Sequence, residues 1–256
     1  MNIFVRHWKK IVLGALIFFA AAFIVDIGRY FFYPDVKQLK KHNPEKTAFM
    51  EYRENIWRQK GVPKNIDKRW VPFSRISPWV VKAVIIAEDH KFWSHNGFDF
   101  ASIRQALERN IRKGEIKVGG STISQQLAKN LFLSPSKNPV RKIKEAILTW
   151  RLERNLSKKR IIELYLNVAE WGDGIFGIEA AAQHHFFRSA SGLTMREAAM
   201  LAAILPSPLR YRTDGTSRYV ENQADRIYQF MINQGSVIDE DEEVMSERDE
   251  NIPLWY

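Results

Sequence analysis

The chain has 256 residues, and its 39 Lys and Arg against 29 Asp and Glu give a formal charge of +10. Apolar residues make up 45% and charged residues 27%, which excludes a disordered chain and a protein built mostly of membrane-spanning helices. The absence of cysteine excludes disulfides, thiolate metal sites and a cysteine nucleophile.

The charge is unevenly distributed along the chain. Residues 239–250 contain eight acidic residues and one basic residue, and the other residues carry a net charge of +17. Such an excess predicts an anionic partner: nucleic acid, an acidic membrane or a phosphate-bearing substrate. The alternative is that the excess positive charge serves only to keep the protein soluble. We interpret residues 239–256 as an acidic C-terminal tail.

The N-terminus contains an unbroken apolar run of 15 residues, Ile11–Val25. As a helix this run measures about 22 Å, so it needs its aromatic flanks to cross a hydrocarbon core of ~30 Å. Trp8 precedes the run and an aromatic cluster at residues 30–33 follows it, a pattern typical of membrane interfaces. Residues 11–33 are therefore predicted to be a transmembrane anchor.

Three basic residues precede the apolar run: Arg6, Lys9 and Lys10. The positive-inside rule therefore places residues 1–10 in the cytoplasm and the chain beyond residue 33 outside it. This topology disfavours nucleic acid as the partner and favours anionic or phosphorylated lipids. A cleavable signal peptide is the alternative, but its small residues, Ala20–Ala22, lie inside the apolar run rather than after it.

The rest of the chain is predicted to be a connector followed by one mainly α-helical domain. Residues 34–76 are polar and interrupted by proline and glycine, as in a juxtamembrane connector. Apolar residues at helical spacing dominate residues 77–238, without strand-like alternation. The predicted helices cover about 77–96, 99–111, 122–132, 140–156, 158–170, 177–187, 194–205 and 217–233. Residues 113–120 form a basic, glycine-bearing loop that we expect to be mobile.

Glu88 is the first candidate for chemistry because it follows a strongly apolar stretch, residues 84–87. Burial there raises the pKa of a carboxyl toward neutrality, as a general acid or base requires. On a continuous helix, Phe92 and His95 would share the face of Glu88, and Asp89 would point away. One alternative is a helix end with ordinary surface charges. Another is a metal site, formed by Glu88, Asp89, His90 and His95, although the spacing matches no recognised zinc pattern.

Residues 119–130 and 141–145 form two further candidate clusters. Thr122 and Gln125 fit a capping box, while Gln125 and Lys129 share a helix face near glycines and suit a phosphate. Arg141 and Glu145 are either an ordinary i,i+4 pair or a cation for a leaving phosphate beside a second carboxylate. Together the clusters favour glycosyl transfer from a lipid-linked phosphosugar, in which a base activates a hydroxyl and cations stabilise the departing phosphate.

Five motifs within residues 80–212 resemble those of monofunctional biosynthetic peptidoglycan glycosyltransferases, which are homologous to the glycosyltransferase domain of class A penicillin-binding proteins. In chain order they are Glu88-Asp89-x-x-Phe92-x-x-His95-x-Gly97; Gly119-Gly120-Ser121-Thr122-Ile123-Ser124-Gln125-Gln126-Leu127-x-Lys129-Asn130; Arg141-Lys142-x-x-Glu145; Ile162-Glu163-x-Tyr165-Leu166-Asn167 with Gly172-x-Gly174-x-x-Gly177-Ile178-x-x-Ala181-Ala182; and Glu197-Ala198-Ala199-x-Leu201-Ala202-Ala203 with Pro206.

The resemblance implies a mainly α, lysozyme-like glycosyltransferase domain with a small membrane-proximal jaw subdomain, held at the bacterial inner membrane. It implies polymerisation of lipid II into glycan strands by inverting transfer, with a β-1,4 link formed and undecaprenyl diphosphate released. Glu88 would be the base for the acceptor 4-hydroxyl, and Glu145 would support the donor site. Cell-division or elongation proteins are expected partners, along with membrane lipids; nucleic acid is not.

The resemblance also assigns the substrate-binding residues. The cations Lys129, Arg141 and Lys142 would hold the donor diphosphate, with a divalent cation (Mg²⁺ or Mn²⁺) bound to the diphosphate and no metal site of the protein's own. The polar residues lining the cleft would be Ser121, Thr122, Gln125 and Gln126.

The chain departs from the family pattern at three places. Ser124 replaces threonine and keeps the hydroxyl; Glu170-Trp171 replaces a Tyr-Phe pair; and Phe187 stands where glycine is common, so we expect a different helix end there. A lytic transglycosylase or muramidase is the rival enzyme, although an enzyme that cuts glycan does not need to hold a diphosphate. A non-catalytic, membrane-anchored cell-wall scaffold is the rival from another class.

Overall fold

The computed structural model describes residues 3–113, 120–135 and 138–234, and these are mostly helical. Their α-helices are α1 (Ile3–Gly28), α2 (Ala48–Gln59), α3 (Pro78–Glu88), α4 (Phe100–Lys113), α5 (Ile123–Phe132), α6 (Pro139–Asn155), α7 (Lys158–Val168), α8 (Ile178–Phe186), α9 (Met195–Ile204) and α10 (Arg218–Asn233). The strands are β1 (Asp67–Lys68), β2 (Glu170–Gly172) and β3 (Ile175–Phe176). Residues 114–119 of the predicted loop and the acidic tail lie outside the described residues.

Helix α1 contains most of the predicted anchor, residues 11–33. The segment Trp8–Phe31, with 24 residues and a mean hydropathy of 2.5, is long and apolar enough to cross a membrane, and none of it is buried by the rest of the protein. Its apolar run, Ile11–Val25, is exposed, and an apolar surface of this size would be unfavourable in water. The helix therefore fits a single-pass membrane anchor.

The core lies between two groups of helices. In one group α9 packs against both α3 and α10, and in the other α5 packs against both α6 and α7. Side chains from both groups are fully buried and belong to one hydrophobic cluster, among them Val84 of α3, Leu127 of α5 and Leu201 of α9. The two groups therefore share a single core, with the C-terminal end of α3 close to α5.

The first predicted helix ends earlier than the apolar pattern indicates. It stops at Glu88, and residues 92–94 form a separate 3-10 turn, so the expected shared face of Glu88, Phe92 and His95 is wrong. The chain leaves the helix because Asp89 makes tertiary hydrogen bonds instead: its carboxylate accepts from Ile123 N at 3.0 Å and lies 2.8 Å from His95 Nε2. Such long-range bonds override local helical preference.

A three-stranded sheet, in the order β1-β3-β2, was not predicted. Strands of two or three residues are too short to show alternation. β1 belongs to residues 34–76, and that segment also contributes buried residues such as Val36 and Val71 to the core. Arg53 of α2 forms a buried ion pair with Glu170 of β2, 2.9 Å apart. The connector is thus packed onto the helical domain, and its boundary at residue 77 stays a prediction.

The end of α8 keeps a left-handed cap despite the missing glycine. Phe187 takes φ 55° and ψ 34° at the first position after the helix, and its N–H bonds to Gln183 O at 3.1 Å. Its ring is 89% exposed. A left-handed conformation is unfavourable for a residue with a Cβ, so this helix end stores a small amount of strain.

Candidate active site

Glu88 is the last residue of α3, a helix in which five of the ten other residues are buried. Its carboxylate is half-buried, and Gln126 Nε2 of α5 donates a hydrogen bond to Glu88 Oε2 at 2.6 Å. Burial raises the pKa of Glu88 above its ordinary value, while the bond from Gln126 and the charge of Lys129 oppose the rise. Glu88 therefore binds a proton at a higher pH than an ordinary glutamate does.

Gln126 is itself held by Tyr165 of α7. The Tyr165 hydroxyl donates to Gln126 Oε1 at 3.1 Å. Burial raises the pKa of Tyr165 well above its usual value, so the hydroxyl keeps its proton and remains a donor. The direction of this bond fixes the amide, because the oxygen faces Tyr165 and the NH2 group therefore faces Glu88. Sequence reasoning gave Tyr165 no role, although it lies in the fourth motif.

Asp89 joins the end of α3 to the start of α5. His95 Nδ1 accepts from Gly97 N at 3.1 Å, so its other nitrogen carries the proton and donates to Asp89 Oδ1. The remaining oxygen, Oδ2, accepts from Ile123 N. In the described parts of the chain, no group of three or more His, Asp or Glu residues could hold a metal ion.

The predicted capping box at the start of α5 is confirmed. Thr122 Oγ1 accepts from Gln125 N at 3.2 Å, and Gln125 Oε1 accepts from Thr122 N at 3.0 Å. The Thr122 hydroxyl also donates to Gly97 O at 2.7 Å. Both side chains are buried, so their observed contacts are structural ones that hold the helix start in place.

The predicted cations gather around one buried carboxylate. Glu145, 2% exposed, pairs with Arg141 Nη1 at 2.8 Å and also with Lys142. Lys142 in turn donates to Ser121 Oγ at 3.3 Å. Arg141 and Glu145 do form an i,i+4 pair, but its carboxylate is buried and is shared with a second cation, Lys142. That these cations also hold a leaving phosphate stays a prediction.

Lys129 connects this cluster to Glu88. Its ammonium group is half-buried and interacts electrostatically with Glu145, Glu88 and the two neighbouring cations, and burial lowers its pKa. Three cations thus lie close together with Glu145 as their buried counter-charge, which leaves positive charge available to an anion. The arrangement places a half-buried carboxylate beside a cluster of positive charge.

Ser124 lies apart from these groups. Its hydroxyl bonds to the Glu153 carboxylate, which also pairs with Lys158 at 2.7 Å. Substitution of threonine by serine here preserves the hydroxyl that this contact uses.

Comparison with known proteins agrees with these observations. A family model described as Transglycosylase matches residues 54–232. A "Biosynthetic peptidoglycan transglycosylase" of Nitrosospira multiformis is 47% identical over 204 residues, which cover 80% of this chain and 88% of that protein. Proteins of the same name are 47% identical over 204 residues in Methylobacillus flagellatus (80% and 86% covered) and 54% identical over 169 residues in Aromatoleum aromaticum (66% and 74% covered). With the helical architecture, the match confirms the predicted fold class, a lysozyme-like glycosyltransferase domain preceded by one apolar helix.

Proposed function

Because this chain belongs to the transglycosylase family and is a peptidoglycan glycosyltransferase, we propose that it polymerises lipid II into glycan strands with release of undecaprenyl diphosphate. One observation carries the proposal: Glu88, whose pKa is raised by burial, lies beside a cluster of three cations around Glu145. A proton acceptor next to an anion site is what transfer from a glycosyl diphosphate requires.

Glu88 is the general base in this mechanism. It takes the proton of the acceptor sugar's 4-hydroxyl as that oxygen attacks the donor's anomeric carbon. The bond from that carbon to the diphosphate oxygen breaks, and its electron pair leaves with the diphosphate. Attack from the face opposite the leaving group inverts an α-linked phosphosugar to a β-1,4 link. Gln126 and Tyr165 hold the carboxylate in position through their hydrogen bonds.

The departing diphosphate is stabilised by Lys129, Arg141 and Lys142, while Glu145 keeps the last two in place. Mg²⁺ usually binds through substrate phosphates together with one or two protein carboxylates. Both oxygens of Glu145 already face cations, and among the described residues no group of three or more His, Asp or Glu residues could hold a metal ion. The expected divalent cation would therefore be carried by the diphosphate rather than by a site of the protein's own.

The anchor would keep the enzyme next to its lipid-linked substrate. We propose that residues 1–10 are cytoplasmic and that the domain works on the outer face of the bacterial inner membrane. The basic residues before the apolar run support this topology.

The test is polymerisation of purified lipid II by the full chain and by Glu88→Gln. We expect the substitution to reduce the rate about 10²–10⁴-fold, as for loss of a general base. The matched control is Glu51→Gln at an exposed position of α2, which should stay within about twofold. Glycan shortening, or no polymer from the unmutated chain, would contradict the proposal and favour a cutting enzyme or a scaffold.

The loss of activity should not come from unfolding. Burial raises the pKa of Glu88 in the folded state above its unfolded value, so stability falls as pH rises through the interval between the two. Glutamine keeps an oxygen that can accept from Gln126 and carries no charge. The Tm of Glu88→Gln at neutral pH should therefore equal or exceed that of the unmutated chain.

A further inference from the structure

The end of the anchor is bonded to α6, the helix that carries part of the cation cluster. Arg151 Nη1 donates to Tyr30 O and Nη2 donates to Phe32 O, both at 2.9 Å. Carbonyl groups just after a helix have no partner within it, and hydrogen bonds from a charged donor are among the stronger ones. Arg151 is 8% exposed, so it is a buried connection rather than a surface contact.

A second connection lies two turns earlier on α6. Lys144 Nζ is 2.6 Å from Asp26 Oδ2 and lies over the ring of Tyr30, 4.9 Å from its centre. Between the two connections, the rings of Phe31 and Trp150 meet edge to face at 6.3 Å. The anchor's end is thus held to α6 at several points along the helix.

The same helix holds Arg141, Lys142 and Glu145 in its first two turns. Arg141 and Arg151 are ten residues apart, which corresponds to about 15 Å along a helix. A helix of this length is stiff, so the cations cannot move toward or away from the membrane without moving the anchor's end. Their position relative to the anchor's end is therefore fixed.

We propose that Arg151 and Lys144 are positioning residues that hold the diphosphate-binding end of α6 at the depth where a lipid-linked diphosphate lies. This inference rests on the proposed function. A lipid-linked substrate is confined to the same bilayer as the anchor, so its phosphates reach the protein at a set height. A flexible connection would let the site sample other heights, and misplacement by 1 Å can lower a rate by about 10²-fold.

The test compares two environments for the full chain. In vesicles the bilayer sets the height of lipid II, whereas in detergent micelles enzyme and substrate can adjust to each other. We expect Arg151→Ala to lower kcat/KM at least about tenfold in vesicles, mainly by raising KM, and to change it within about twofold in detergent. Arg151→Lys, which keeps a donor, should recover part of the vesicle rate.

The matched control is Arg154→Ala on the same helix. Arg154 is exposed and stacks on Trp150 at 5.6 Å, and within the described residues its guanidinium has no hydrogen bond to the anchor's end. Its vesicle and detergent rates should both stay within about twofold. Equal loss for Arg151→Ala in both environments would make the residue merely structural, and no loss in vesicles would also overturn the proposal.

If Arg151→Ala fails to fold, an exchange of charges between Lys144 and Asp26 tests the proposal instead. Lys144→Asp should lower the ratio of vesicle to detergent rates, and adding Asp26→Lys should restore it. An unrestored or unaffected ratio would overturn the role of Lys144. Failure of the proposed function is distinguishable from both results, because the unmutated chain would then make no polymer in either environment.

Discussion

Glu88 is subject to two opposing influences that a pH profile can separate. Burial raises its pKa, and the hydrogen bond from Gln126 lowers it. Because a base must be ionised, kcat/KM should fall as pH drops through this raised pKa, at a higher pH than for an ordinary glutamate. On the alkaline side, Lys129 must stay protonated to hold the diphosphate, and burial lowers its pKa. Activity should therefore be lost at a lower pH than for an ordinary lysine.

Replacement of Gln126 tests whether Glu88 causes the fall of kcat/KM at low pH, the acidic limb of the pH profile. Gln126→Met removes the hydrogen bond that lowers the pKa of Glu88 while keeping a similar volume, so the acidic limb should move to higher pH. The measurement is kcat/KM against pH for polymerisation of lipid II. Gln59→Met, at an exposed position of α2, serves as the control and should leave the profile in place. An acidic limb unmoved by Gln126→Met would mean that another group sets it.

Among the elements, the end of α8 offers a test of backbone strain. Phe187→Gly should raise the free energy of unfolding by about 0.5–1 kcal/mol, because glycine adopts the left-handed conformation freely but also gains freedom in the unfolded chain. Phe187→Ala is the control: it removes the exposed ring yet keeps the Cβ, so it should change stability little. Thermal or urea unfolding of the three chains provides the measurement. Equal stability of the glycine and alanine variants would contradict the strain at this position.

Helix α5 shows why much of the fold could be predicted. Nearby residues determine where it starts, since Thr122 and Gln125, three positions apart, hydrogen-bond to each other. Its apolar residues also recur at helical spacing. For helices α6 to α10, the predicted ends agree with the observed ends to within about two residues. Local periodicity is sufficient wherever both ends of a helix depend on nearby residues.

The early end of α3 shows why the rest could not be predicted. The chain turns at Asp89 because that residue bonds to Ile123, 34 positions away, and no local pattern records such a partner. Tyr165 was missed for the same reason, since its hydroxyl reaches Gln126 from a different helix. The site residues of the motifs do lie near one another, but their roles in binding and catalysis stay predictions.

At the scale of the whole molecule, the mature protein either keeps its N-terminal anchor or loses it by cleavage. We expect the chain to remain uncleaved and to stay in the membrane pellet after an alkaline wash, because its small residues lie within the apolar run. Mass spectrometry of the purified protein's N-terminal peptide provides the measurement. A matched positive control is Ile27→Ala with Arg29→Ala, which creates an Ala-x-Ala sequence after the run and should permit cleavage. A natural chain that begins after residue 20 would contradict the prediction.

The buried carboxylate at the end of α3 also has an evolutionary consequence. Because ionisation of Glu88 lowers stability as pH rises through its raised pKa, a population selected only for heat resistance would benefit from variants that lose this charge. Selection for cell-wall growth would remove the same variants. The two pressures then act in opposite directions on the codon for residue 88. A laboratory lineage selected for heat resistance without need of glycan synthesis should therefore acquire substitutions of Glu88 that make the protein more stable and inactive.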